Sequence, residues 1–201
     1  MLSTLTKNLV DALQTLPGIG PKTAQRLTFQ LLSPNSRNKG LTLANALRQA
    51  MENVQQCQRC RLYTEESLCT ICRNPQREQS QLCVIESAAD ALVIEQTASY
   101  RGLYYILQGH LSPLDGLGPE EIGIPFLLDR LQTEVISELI LATNPTMEGK
   151  ATAHYIASHV DKARIFCTRI AHGVPFGGEL EYLDGGTLSH AFRSRAPLEV
   201  N

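Results

Sequence analysis

Four of the six cysteines, Cys57, Cys60, Cys69 and Cys72, stand in the pattern C-x2-C-x8-C-x2-C. Each C-x2-C pair puts two thiolates on one tight turn, and two such turns complete a tetrahedral shell for Zn²⁺. Four thiolates leave no open coordination position, so the expected metal is a single structural zinc with no part in catalysis. Arg59, Arg61 and Arg73 flank the turns and would offset the surplus negative charge of such a site. Redox chemistry is the competing use of clustered cysteines. Disulfides do not fit a reducing cytoplasm. Cys83 and Cys167 stand singly in apolar, strand-like runs, where a free cysteine acts as a small hydrophobe.

A second chemistry is written in Leu16-Pro17-Gly18-Ile19-Gly20-Pro21-Lys22-Thr23-Ala24. Gly18 and Gly20 around one apolar residue make a tight turn between two helices. The second helix then begins with free backbone N–H groups, which bind a phosphate through amides and dipole together. Lys22 and Arg26 lie four apart on one face and reach adjacent phosphates. Nothing here reads base edges, so DNA binding without sequence preference is expected. A plain helical hairpin with solvated charges is the alternative.

A third candidate is Cys83-Val84-Ile85-Glu86-Ser87 with Asp90 four residues after Glu86. A carboxylate at the end of a parallel strand faces the crevice of such a sheet. Glu86, Asp90 and Glu148 could gather there around Mg²⁺. The strand that should supply further acids ends instead in Thr143-Asn144-Pro145-Thr146, without an aspartate pair, and no nucleophile stands beside a base. A binding or structural role for these acids is therefore expected over catalysis. Gly149-Lys150 lacks the rest of a P-loop, and His110, Ser112 and Asp115 read as turn chemistry.

The elements that must position these groups follow from periodicity. Apolar residues recur at helical spacing over 2–16, 22–32 and 41–54, with Pro17-Gly18 and Ser33-Pro34 as breaks. Gly20 and Pro21 suit the N-cap and first turn of the second helix. The cysteine segment is too short to build a core and needs its metal as a staple. From Gln81 onward, strand-like runs at 82–85, 103–107, 138–142 and 164–170 alternate with helical patterns at 88–97, 126–136 and 147–160. That alternation implies a mainly parallel sheet covered on both faces. The glycine-rich tail reads as turns with a short amphipathic piece near 188–192.

The 201 residues are 43% hydrophobic and 19% charged, a globular composition that excludes disorder. No apolar run is long enough to span a membrane, and the N-terminus reads as an amphipathic helix, so a cytoplasmic location is expected. The net charge of -2 conceals an asymmetry: residues 1–77 carry ten Lys and Arg against four Asp and Glu, and residues 78–201 carry eight against sixteen. A basic half suits a polyanion; an acidic half suits a metal or a basic protein.

Taken in order, LPGIGPKTAQRL, CQRC…CTIC, CVIESAADALVIEQT, QGHLSPLDGLGPEEIGI, LATNPTMEGKATAHYI and RIAHGVPFGGELEYLDGGTLSHA resemble the RecR family of bacterial recombination mediators over essentially the whole chain. The resemblance implies an α+β, multi-module fold. A helix-hairpin-helix module would span 1–54, a four-cysteine zinc finger 55–76, an α/β Toprim domain 80–175 and a small C-terminal oligomerisation segment 176–201. It implies a non-catalytic mediator of DNA repair in the bacterial cytoplasm, associated with the nucleoid during repair. Its partners would be RecO and RecF, its task the loading of RecA onto single-stranded DNA. It also implies ring-shaped oligomers, commonly tetramers, able to encircle duplex DNA. By similarity Lys22 and Arg26 match DNA-contacting residues. Glu86, Asp90 and Glu148 match acidic Toprim positions linked in the family to RecO binding. The Asn144-Pro145 region stands where catalytic Toprim domains carry Asp-x-Asp. Lys150 replaces a residue that is often acidic, which weakens a metal site. Two rivals remain, a Toprim nuclease or primase using Mg²⁺, and a protein adaptor without DNA affinity.

Overall fold

A computed structural model describes residues 2–171, 173–175 and 177–195. The stretch 176–201, expected as an assembly segment, therefore lies partly outside the described residues. The chain divides into two units, Met1–Val54 and Gln55–Asn201.

The first unit holds α1 (Thr4–Gln14), α2 (Pro21–Leu32) and α3 (Arg37–Asn53). Ser3 caps α1 by accepting from the Thr6 amide. Gly20 is the N-cap of α2 and Pro21 its first residue, where a missing N–H costs nothing. Gly18 sits at φ +78°, a conformation glycine adopts without a Cβ penalty, and this turns the chain from α1 into α2. Helix α3 begins at Arg37, four residues before the expected Leu41. Its first turn, Arg37-Asn38-Lys39-Gly40, carries no apolar periodicity to read, yet the Gly40 amide already bonds to the Ser36 carbonyl. Only Val10, Ala24 and Thr28 are buried in these helices, and α3 buries none of its residues.

The second unit opens with two short paired strands, β1 (Gln55–Gln56) and β2 (Tyr63–Thr64), which flank the first cysteine turn, Cys57 to Cys60. There follow β3 (Glu78–Ile85), α4 (Ala88–Gln96), β4 (Gly102–Ile106), α5 (Ile124–Thr133), β5 (Glu138–Leu141), α6 (Met147–Ser158), β6 (Phe166–Arg169) and α7 (Gly185–Arg193). The four longer strands pair wholly parallel in the order β4-β3-β5-β6. Alternation along the strands builds two cores. Leu82, Val84, Leu103, Tyr105, Leu139 and Leu141 pack with Leu127 and Ile156 of the helices. Cys83, Ile85, Tyr104 and Ile106, on the other face, pack with the four clustered cysteines and Ala91. Both faces are covered, as an all-parallel sheet requires. Helix α7 contains the amphipathic piece expected near 188–192 but starts earlier, at Gly185, because Asp184 accepts from the Thr187 amide and hydroxyl and so caps a helix whose first two residues are glycine. Among the described residues no helix is long and apolar enough to cross a membrane.

Candidate functional site

The sulfurs of Cys57, Cys60, Cys69 and Cys72 lie within 4.8 Å of one another, and all four residues are buried. Each C-x2-C turn is closed by a backbone bond, Arg61 N–H to Cys57 O at 2.9 Å and Arg73 N–H to Cys69 O at 3.1 Å. Amides of Leu62, Cys69 and Cys72 donate to the sulfurs of Cys60, Cys57 and Cys69 at 3.3–3.5 Å, which favours thiolates. Contact among the thiols pulls Cys69 down from the ordinary thiol range and pushes Cys60 and Cys72 up. Such a set cannot ionise fully without a cation. Four soft sulfurs, amide-supported and closed to a fifth ligand, fit one structural Zn²⁺.

The flanking arginines do more than offset thiolate charge. Arg59 makes a two-pronged ion pair to Glu134 at the end of α5, at 2.8 and 2.9 Å. Its Nη1 also donates to Cys72 O, and the Glu134 bond, together with the nearby cysteine sulfurs, raises the Arg59 guanidinium above its ordinary value. Burial alone would raise Glu134, but bonds from Arg59 and Arg130 hold it below the usual carboxylate range. Arg130, 6% exposed, donates from Nη1 to Arg59 O and Tyr104 O. Ile106 N–H donates to Cys60 O at 3.0 Å, so the finger covers the outer edge of β4. Arg73 pairs with Glu66.

The acids part company. Glu86, 6% exposed at the end of β3, accepts at Oε1 from the Asn144 amide at 2.8 Å. Its Oε2 accepts from Asn144 Nδ2 at 2.7 Å and lies 3.3 Å from His110 Nδ1. A Cβ on Gly149 would fall 2.2 Å from Asn144 O and 2.8 Å from Glu86 Oε1, so only glycine admits this approach. Asp90 closes a capping box with Ser87: its carboxylate accepts from the Ser87 amide at 2.8 Å while Ser87 Oγ accepts from the Asp90 amide. Glu148 is exposed in the first turn of α6. The three acids thus do not gather: among the described residues the four cysteines alone form a group close enough to share an ion. Hydrogen bonding spends Glu86 on a loop and Asp90 on a helix start, the structural use that was expected over catalysis. Asn144 and His110, expected only as a strand-end break and as turn chemistry, are the partners of Glu86. The strand-end Thr143-Asn144-Pro145 was the signal for the first, and Ser87-x-x-Asp90 was the signal for the cap.

In the first unit Lys22 and Arg26 are exposed on α2, and no ion pair among the described residues engages either. A Cβ at Gly18 or Gly20 would meet nothing within 4 Å, so the space above the turn is open. Gly20 provides no side-chain cap and the first turn of α2 has no acid, which leaves its amides bare.

The family model of the RecR helix-hairpin-helix matches residues 6–51, and that of the RecR four-cysteine zinc finger domain matches 54–74. The Toprim domain matches 80–171 and the RecR C-terminal model 173–195. A recombination protein RecR of Coxiella burnetii is 63% identical over the full length of both chains. The chain belongs to the RecR family. Two further RecR recombination proteins, of Stutzerimonas stutzeri and Pseudomonas putida, are 55% and 54% identical over 98% of each chain. Within the RecR order of modules, the hairpin falls in the first unit, and the finger and Toprim sheet share the second.

Proposed function

We propose that this RecR-family chain is a non-catalytic, DNA-binding recombination mediator that holds DNA without sequence preference. The observation that carries this reading is the bare N-terminus of α2, with Lys22 and Arg26 exposed, unpaired and one turn apart. Such a terminus meets phosphates rather than bases. One hairpin grips few phosphates, so a ring of several copies, a tetramer by resemblance, would sum the basic charge around a duplex. Exposed Leu43, Leu47 and Met51, four apart on α3, would supply an apolar stripe for one contact of that ring, and the C-terminal segment would supply the other. Cyclic closure needs two such surfaces. The Toprim acids Glu86, Asp90 and the exposed Glu148 would supply negative charge for a basic protein, RecO by resemblance, with RecF and RecA loading as the wider task. Engagement of Glu86 by Asn144, with no group of acids close enough to share an ion among the described residues, argues against a metal-dependent Toprim nuclease or primase.

The test is a salt titration of duplex DNA binding by fluorescence anisotropy, comparing wild type with Lys22→Ala/Arg26→Ala. Loss of two phosphate contacts per chain is expected to lower the salt slope by about two for each chain engaged and to weaken affinity at least tenfold. Equal slopes for the two proteins would move the DNA site elsewhere.

A further inference from the structure

The second unit holds a cavity of about 490 Å³ at the C-terminal ends of the strands, and its walls come from two modules. Glu86, Ser87, Gln108, Gly109 and Asn144 belong to the Toprim sheet and its loops, and Tyr63 comes from the finger. Tyr63 is 59% exposed although it lies in a paired strand. No lysine or arginine lines the cavity, so Glu86 is its one formal charge. The carboxylate of Glu86 keeps lone-pair capacity at Oε1, which accepts a single bond, and Asn144 Oδ1 accepts none among the described residues.

The aromatic wall is held in place. Arg61, directly after the first cysteine turn, has φ +67° and donates from Nη1 to Leu107 O and Ile122 O. Gln108, at φ +61°, returns a bond from Nε2 to Arg61 O at 3.2 Å. Two residues in the left-handed region, costly for a side chain, thus face each other across the junction. The next residue, Gly109, bonds to Glu86 O. The cysteine turn, the Tyr63 strand and the Glu86 crevice are therefore fastened as one body.

We propose that this two-module cavity is the seat for an arginine side chain of a protein partner, with Tyr63 as its aromatic wall and Glu86 and Asn144 as its acceptors. A planar guanidinium stacks on an aromatic face and donates in a fixed fork, which an ammonium does not. A phosphate is disfavoured by Glu86 and by the acid excess of residues 78–201. The proposal rests on the acidic-face reading above and adds the finger to it.

Two arms test it. In the first, N-acetyl-arginine amide and N-acetyl-citrulline amide are titrated into the zinc-loaded protein and the amide signals of Gly109 and Asn144 are followed by NMR. The arginine compound is expected to shift both and the uncharged compound neither. Tyr63→Leu should weaken the effect about fivefold, and Tyr63→Phe should keep it. Equal response to both compounds, or an unchanged Leu variant, overturns the seat. In the second, RecO affinity is measured for the same proteins. RecO binding that is strong in wild type and undiminished in Tyr63→Leu overturns the seat as a docking site while the acidic-face reading stands. No RecO binding to wild type overturns that reading, and the arginine compound then decides the seat by itself.

Discussion

The second unit carries two sets of metal-capable side chains, and they meet opposite fates. The four cysteines converge within 4.8 Å with nothing but one another and a few amides as partners. Glu86, Asp90 and Glu148 have the right chemistry for Mg²⁺ but form no group close enough to share an ion among the described residues, and two of them accept backbone hydrogen bonds. Ligand type alone does not make a metal site. What makes one is convergence of several groups on one point, which the cysteines have and the acids, each bonded within its own loop or helix start or exposed, do not.

Three measurements break or sharpen this contrast. The largest effect is expected from Cys69→Ser. Structural zinc contributes about 10–16 kcal/mol of binding free energy in isolated fingers. The thiols also share a core with Cys83, Ile85, Tyr104 and Ile106 of the sheet. Metal analysis should find the zinc lost, and the melting temperature should fall by about 10 °C or more, beyond what a finger-only defect would give. A variant that keeps its melting temperature would mean that the finger and sheet are energetically separate.

Asn144→Asp comes next. It removes the Nδ2 donor from Glu86 and sets a second negative charge beside it, at a cost of about 3 kcal/mol near neutral pH. Millimolar Mg²⁺ should recover part of that loss in the variant and leave wild type unchanged in a thermal melt. An Asp variant as stable as wild type would show that Glu86 is not closed by Asn144.

Glu134→Gln is the smallest. The folded state holds Glu134 below its ordinary range, so its pairing stabilises fully above about pH 4.5 and is lost as pH falls through the lowered value. The stability difference from wild type should be about 1 kcal/mol at neutral pH and shrink towards zero in acid. A difference that stays constant down to pH 3 would assign the effect to packing and not to the ion pair. Zinc content must be matched in the two proteins, because protons compete with metal for thiolates.

Much of the architecture is legible in the residues because its signals are local. Two C-x2-C turns, a Pro-Gly-x-Gly turn before a proline-started helix, and apolar runs alternating with helical patterns each act within a turn or two of chain. Their spacing alone specifies the metal, the hairpin and the parallel sheet. Where the signal was weak, at the polar first turn of α3 and the glycine start of α7, the boundary followed a backbone hydrogen bond in the first and the Asp184 side-chain cap in the second, which no apolar pattern announces.

The fate of the acids was decided elsewhere. Asn144 meets Glu86 across 58 positions of chain, and Arg59 meets Glu134 across 75. The register of β3 on β5, which sets Val84 beside Leu141, brings both strand ends together and delivers the Asn144 amide to the carboxylate. The sequence determined which groups exist and which are neighbours along the chain. Strand register and the packing of the finger on the sheet decided which of them keep free lone pairs, because hydrogen-bond partners are chosen by distance in space.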